Sequence, residues 1–237
     1  MGRFNFLALK ILFLLSLAGS FSSVFAGSLP ACTADTLADY VSNNVFPSGC
    51  AIGILDYYDF TYHAVTPATD PAASAIAVTP GVNGFSFGPV SAAANTTVQF
   101  EIDYDIYIDP VPRIPGASLV LDPPTGDVTV TEYFCNDVAY VYTGSCLGPA
   151  PFTLTVGTPG TGFPSSATVN FGDNPATTSQ QVGILFTLTG GATGASFDGL
   201  DAVSIVSSVP EPASAAALFL GLLTLAGGYK LKRQRNR

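Results

Sequence analysis

Across residues 98–108 the side chains alternate. Val98, Phe100, Ile102, Tyr104, Ile106 and Ile108 are apolar, and Glu101, Asp103 and Asp105 fall between them. Successive side chains of an extended strand point to opposite faces, so a period of two commits this segment to a strand with one buried and one polar face. A helix of 3.6 residues per turn cannot gather those six apolar residues on one side. Any fold for this chain must therefore bury one face of a long strand against a second layer.

Shorter runs repeat the theme. Residues 51–55, 57–62, 76–79, 84–87, 118–121, 127–134, 140–143, 152–156, 168–171, 182–188 and 202–206 read as strands between Gly/Pro turns such as Pro123-Pro124-Thr125-Gly126. With 24 Gly, 18 Pro and a single Met, the composition disfavours helices. One helix is expected early, capped by Thr33 and running over residues 34–42, with Leu37, Tyr40 and Val41 on one face. The fold class is all-β: a β-sandwich or jelly-roll-like ectodomain with one short N-terminal helix, over residues 27–208.

Both ends read as segments separate from that fold. Arg3 and Lys10 flank an apolar run that ends at Val24-Phe25-Ala26, the pattern of a secretory signal peptide over residues 1–26. At the other end Val209-Pro210-Glu211-Pro212 precedes an apolar stretch, 213–229, and a basic tail, 230–237. The two prolines hold the motif extended. The apolar stretch reads as a transmembrane helix, and its following cations keep the C-terminus in the cytoplasm.

A Pro-Glu-Pro motif, one hydrophobic helix and a basic tail resemble the PEP-CTERM sorting signal. The resemblance implies export through the inner membrane of a Gram-negative bacterium and a transient inner-membrane anchor. It implies processing by exosortase, a membrane transpeptidase, and delivery to the cell surface or an extracellular polysaccharide matrix. The run Cys32-x-x-x-x-Leu37-Ala38-x-Tyr40, then Gly49-Cys50-Ala51-Ile52-Gly53 and Tyr58-Asp59-Phe60-Thr61-Tyr62, is also similar to an ectodomain that recurs in such proteins. That ectodomain carries no assigned activity, so the likeness adds location and β-fold but no chemistry.

Charge narrows the partners. Seven of the eight Lys and Arg residues lie in the two ends, which leaves Arg113 against all 17 carboxylates and a balance of −16 over residues 27–212. Nucleic acid is excluded as a partner, because phosphate binding requires clustered cations. Divalent cations and neutral polysaccharide suit such a surface. Four cysteines, Cys32, Cys50, Cys135 and Cys146, allow three pairings. An even number in an exported domain reads as two disulfides, and the nearest-neighbour pairing Cys32–Cys50 and Cys135–Cys146 is expected.

Catalytic signatures are scarce. His63 is the sole histidine. No Gly-x-Ser-x-Gly elbow, P-loop or dinucleotide fingerprint is present. A glycoside hydrolase needs only two placed carboxylates and is the alternative function class. For a metal, Glu101, Asp103, Asp105 and Asp109 share one strand face, where they are either solvated or bridged by calcium, which accepts six to eight oxygens. A second calcium candidate is Asp198 and Asp201 in Ser196-Phe197-Asp198-Gly199-Leu200-Asp201, a pattern similar to the last strand of sugar-binding jelly rolls. Tyr57, Tyr58 and Tyr62 are the candidate stacking platform for a sugar ring, although most rings in a β-domain belong to its core. The expected function is that of a non-catalytic exported protein, structural or carbohydrate-associated.

Overall fold

The computed structural model describes residues 29–42, 49–108, 114–142, 144–171 and 179–206. The signal peptide 1–26, the motif 209–212, the helix 213–229 and the tail 230–237 lie outside them, as do Asp109 and Arg113. Among the described residues no helix is long and apolar enough to cross a membrane.

In chain order the elements are β1 (Asp35–Thr36), α1 (Leu37–Val41), β2 (Cys50–Ile52), β3 (Leu55–Ala64), β4 (Ala77–Pro80), β5 (Gly84–Gly88), β6 (Val90–Ala92), β7 (Thr96–Ile108) and β8 (Gly116–Leu121). There follow β9 (Asp127–Asn136), β10 (Tyr140–Val141), β11 (Ser145–Cys146), β12 (Phe152–Gly157), β13 (Ser166–Asn170), β14 (Ser179–Gly190), β15 (Ala195–Phe197) and β16 (Leu200–Ile205). Two six-stranded sheets result, in the orders β12-β9-β14-β7-β3-β2 and β1-β4-β5-β16-β8-β13. Their pairings are antiparallel throughout. Two short ribbons, β10-β11 and β15-β6, complete the β-structure. The architecture is a sandwich.

The alternation in β7 places Val98, Phe100, Ile102, Tyr104, Ile106 and Ile108 in the core, each at most 3% exposed. Its neighbour β14 supplies Val182, Ile184, Phe186 and Leu188 in register. Phe100 stacks on Phe186 with centroids 4.6 Å apart, and Phe186 stacks on Phe197 at 5.8 Å. A second aromatic group, Tyr40, Tyr57, Phe60, Phe85 and Tyr104, joins the helix to both sheets through edge-on and tilted contacts and one stacked pair, Phe60 on Tyr104. Rings of this size dominate core burial, and such pairs add about 0.5–1.5 kcal/mol each beyond area.

Three local features differ from the sequence reading, each for a physical reason. The helix starts at Leu37 rather than Ala34, because Asp35 and Thr36 are already extended and paired with Val78 and Ala77. The run 51–55 is a hairpin rather than one strand: Ile52 pairs with Leu55 around Gly53-Ile54. Gly53 has φ +64° at the first loop position, where a tight hairpin turn requires a left-handed residue. Third, β3 slips register against β7 between Tyr58 and Thr61, with Asp59 at φ +52°. Such a bulge inserts a residue and reverses which face the following side chains take. Before it, Leu55 and Tyr57 are buried; after it, Phe60 is buried and Thr61 and His63 turn to the outer face of the sheet.

Candidate functional site

The outer face of the larger sheet carries three cross-strand rows. Thr131, Leu185, Glu101 and His63 form one row across β9, β14, β7 and β3. Tyr133, Gly183, Asp103 and Thr61 form the next. Cys135, Gln181, Asp105 and Tyr58 form the third. The acids of β7 therefore sit mid-sheet, with His63, Thr61 and Tyr58 beside them on β3 and Leu185, Gly183 and Gln181 on β14.

A strap closes this face. The ribbon β10-β11 folds back across β14, fixed by the disulfide Cys135–Cys146 with Cα atoms 5.5 Å apart. The Tyr140 ring lies over Gly183, where an added Cβ would stand 2.2 Å from Tyr140 Cζ, so this seat requires glycine. The Tyr140 backbone N–H donates to Gln181 Oε1, and Gln181 Nε2 donates to Asp105 Oδ2 at 2.9 Å. The Tyr140 hydroxyl donates to Glu101 Oε1 and accepts the Gly144 N–H at 2.9 Å. Glu101 is consequently 0% exposed, on the face that strand periodicity assigns to solvent.

Asp103 lies beside it. Thr61 Oγ1 donates to Asp103 Oδ2 at 3.1 Å, and His63 Nε2 stands 3.1 Å from the same oxygen. The other oxygen, Oδ1, is buried without a hydrogen-bond partner among the described residues. Burial, then the charge of Glu101, push the Asp103 carboxyl up to about 7. Asp105 is also raised, by burial first, with the Gln181 hydrogen bond opposing.

Beside the strap is a cleft of about 280 Å³, lined by Asp59, Thr61, His63, Asp103, Asp105, Tyr140, Tyr142 and Gln181. The His63 and Tyr142 rings meet at a tilt of 51° with centroids 4.6 Å apart. Among the described residues there is no Lys or Arg, so the cleft accepts hydrogen bonds and repels anions.

Several sequence expectations change here. Glu101 on the acidic strand face is buried rather than solvated, and among the described residues no group of three or more His, Cys, Asp and Glu is placed to hold a metal ion. Glu101 is capped by Tyr140, while Asp198 and Asp201 are exposed, well away from the strap. The tyrosine platform does not form either. Tyr57 is 1% exposed, and Tyr62 packs beside Phe100 with its hydroxyl on Pro71 O. The rings exposed beside the cleft are instead those of His63 and Tyr142, brought together by the bulge and the strap. The four cysteines are paired as Cys32–Cys50 and Cys135–Cys146, with no free thiol among the described residues.

A further buried acid lies in the core. Glu132 is 2% exposed, between the sheets, hydrogen-bonded to the Tyr104 side chain. Its Oε2 has no hydrogen-bond partner among the described residues. Burial raises the Glu132 carboxyl to about 8, with the Tyr104 bond opposing, so it is largely protonated at neutral pH. The signal was present in residues 127–134: Val128, Val130 and Phe134 mark the buried parity, and Glu132 shares it.

No protein-family model matches this chain, and no curated protein matches it. Among solved structures, TmCBM61 in complex with beta-1,4-galactotriose aligns over 70% of this chain and 98% of its own, at 10% identity and a TM-score of 0.35. The family 11 carbohydrate-binding module from Clostridium thermocellum, in complex with a beta-1,3-1,4-mixed-linked tetrasaccharide, aligns over 75% of this chain and 99% of its own, at 9% identity and a TM-score of 0.25.

Proposed function

We propose that this chain is a non-catalytic exported protein, delivered by exosortase processing at Val209-Pro210-Glu211-Pro212 to the cell envelope or extracellular polysaccharide matrix. The observation that carries the reading is the motif abutting an apolar stretch and a basic tail. Two disulfides within the β-sandwich support an oxidising, extracellular location. The cleft supports a carbohydrate-associated role: it offers hydrogen-bond acceptors and two aromatic rings without a Lys or Arg among the described residues. Neutral polysaccharide is the partner that fits, and calcium has no part in this reading. Intact-mass measurement on protein from the native host tests sorting. The mature surface form lacks residues 1–26 and 213–237, and Glu211→Ala accumulates in the inner membrane. Retention of 213–237 in the surface pool contradicts it.

One observation favours the glycoside hydrolase as a second reading. Asp103 and Asp105 share the cleft, and Asp103 holds a proton near neutrality, as a general acid must. Release of reducing ends from polysaccharide by the wild type, and not by Asp103→Asn, would establish it.

A further inference from the structure

Two hairpin tips of the sandwich carry aliphatic side chains that their turns do not require. The β2-β3 turn takes its left-handed residue from Gly53, at φ +64°, and the β4-β5 turn takes its own from Asn83, at φ +61°. Other positions in such turns favour Gly, Asn, Asp and Ser. Here they hold Ile54, 50% exposed, and Val82, 81% exposed. The two tips are neighbours, because a Cβ added to Gly53 would stand 3.5 Å from Asn83 Oδ1. Asn83 O accepts the Ser204 N–H at 2.9 Å, which fixes the second tip against β16. Val82 then lines a groove of about 500 Å³ together with Val203, Ile205 and Val206. Tyr107, also exposed, stands opposite Asp56, two positions in from Ile54.

The chain leaves the sandwich at this same end. Strand β16 stops at Ile205, and the sequence runs on through Val209-Pro210-Glu211-Pro212 to the apolar stretch 213–229. Six residues separate Val206 from Ala213. Fully extended, they hold this end within about 25 Å of the point where Ala213 enters a bilayer. We infer that the end formed by Ile54, Val82 and Ile205 is a membrane-contact surface, which seats on electrically neutral lipid while the chain is anchored. The surface has this role only if the anchoring part of the proposed function holds.

The chemistry of the two ends differs in the required sense. The tips Gly53-Ile54 and Gly81-Val82-Asn83-Gly84 and the strand end Ile205-Val206 bear no charge. Asp56 and Asp201 stand near them and repel anionic headgroups, so neutral lipid is the surface that fits. At the opposite end the turns 93–95, 122–126, 191–194 and 198–199 consist of small and polar residues, two prolines and the acids Asp122 and Asp198. Exposed aliphatic groups clustered in one place mark a contact surface, whereas scattered ones do not. Entry into the headgroup boundary removes Ile54, Val82 and Ile205 from water. The tip backbone tolerates it, since the Gly81 N–H already donates to Gly84 O at 2.8 Å. A few side chains make a weak contact by themselves. The short tether raises the effective concentration of the surface at the bilayer, so a weak contact suffices to orient the domain. Loss of residues 213–237 removes the tether and releases it.

Lipid-resolved fluorescence tests the contact. The chain has no tryptophan, so each substitution installs a single fluorophore. Full-length Ile54→Trp, Val82→Trp, Phe163→Trp and Leu220→Trp are reconstituted in phosphatidylcholine vesicles, with and without bromine on the upper acyl carbons. Leu220 lies in the apolar stretch and reports anchoring. Phe163 is 43% exposed near the opposite end and is the control. Ile54→Trp and Val82→Trp should lose about half of their emission to bromine, as side chains at the headgroup–acyl boundary do. Leu220→Trp should be quenched as well, and Phe163→Trp should not. The two tips are separate probes, so one suffices if the other variant fails to fold. Quenching at Leu220→Trp with none at either tip overturns the inference and leaves the anchor standing. Equal quenching at Phe163→Trp overturns it too, as adsorption without a preferred face. Tips shielded from aqueous acrylamide but untouched by bromine are covered by a second copy of the chain, which also overturns it. No quenching at Leu220→Trp refutes the anchor, and the membrane contact falls with it.

Discussion

Glu101 and Glu132 are both buried on central strands of the same sheet, yet they are buried by different means. Glu132 lies between the sheets, where the sandwich itself excludes water; its partner is Tyr104, and one oxygen has none. Glu101 lies on the opposite face, where the sheet alone would leave it wet, and a disulfide-anchored ribbon covers it. The first burial is part of the folding core. The second can be undone without unfolding the sandwich. The same chemical group therefore contributes to global stability in one place and to local opening in the other.

The comparison breaks most readily at the core acid. Glu132→Ala removes the partner of Tyr104 and leaves a cavity, at a cost of about 3 kcal/mol, read as a lowered urea midpoint at pH 6. Tyr140→Phe, by contrast, lowers protection in the strap without moving the global midpoint by a comparable amount.

Loss of the strap's covalent anchor ranks close behind. Its loop spans 11 residues, and removing such a crosslink costs about 3 kcal/mol if the whole effect reaches global unfolding. Because the strap opens locally, Cys135→Ser/Cys146→Ser should lose less than this in the global midpoint. It should also lose nearly all protection at Tyr140 and Gly144. Equal losses at the core amides of β14 would mean that the strap is part of the global fold.

A pH series sharpens the contrast. The folded Glu132 carboxyl lies above its ordinary range, so its stabilising contribution is fully present below the ordinary carboxylate range, declines as pH rises from there and is gone above about 8. Thermal melts of the wild type should fall between mild acid and about pH 8 and level off beyond it. Glu132→Gln should flatten that limb and melt above the wild type at pH 9. The smallest effect concerns metal: with the acids of β7 capped or paired, millimolar Ca²⁺ should shift the melting temperature no more than Mg²⁺ at matched ionic strength. A calcium-specific rise would support the sequence expectation at Glu101, Asp103 and Asp105, or at Asp198 and Asp201.

What the sequence disclosed follows the range of the forces involved. Strand β7 and its core face were legible, because a period of two is a local property. The parity that buries Glu132 was equally readable in β9. The site was not, for two nonlocal reasons. His63 reaches the outer face only because the bulge between Tyr58 and Thr61 reverses β3, and nothing in the residue pattern marks the slip. Glu101 is buried only because residues some forty positions later fold back over it, which alternation along one strand cannot register. The helix likewise began late, since pairing of Asp35 and Thr36 with β4 overrides a plausible cap at Thr33.

The most direct test is a carboxyl-resolved NMR titration of the isotopically labelled wild-type protein. The account predicts two raised titrations on the two faces of one sheet, Glu132 near 8 and Asp103 near 7, with the Asp103 transition lowered but still above the ordinary carboxylate range in Glu101→Gln and the Glu132 transition untouched by it. Both groups titrating in the ordinary carboxylate range in the wild type, or an Asp103 transition unmoved by Glu101→Gln, would contradict it.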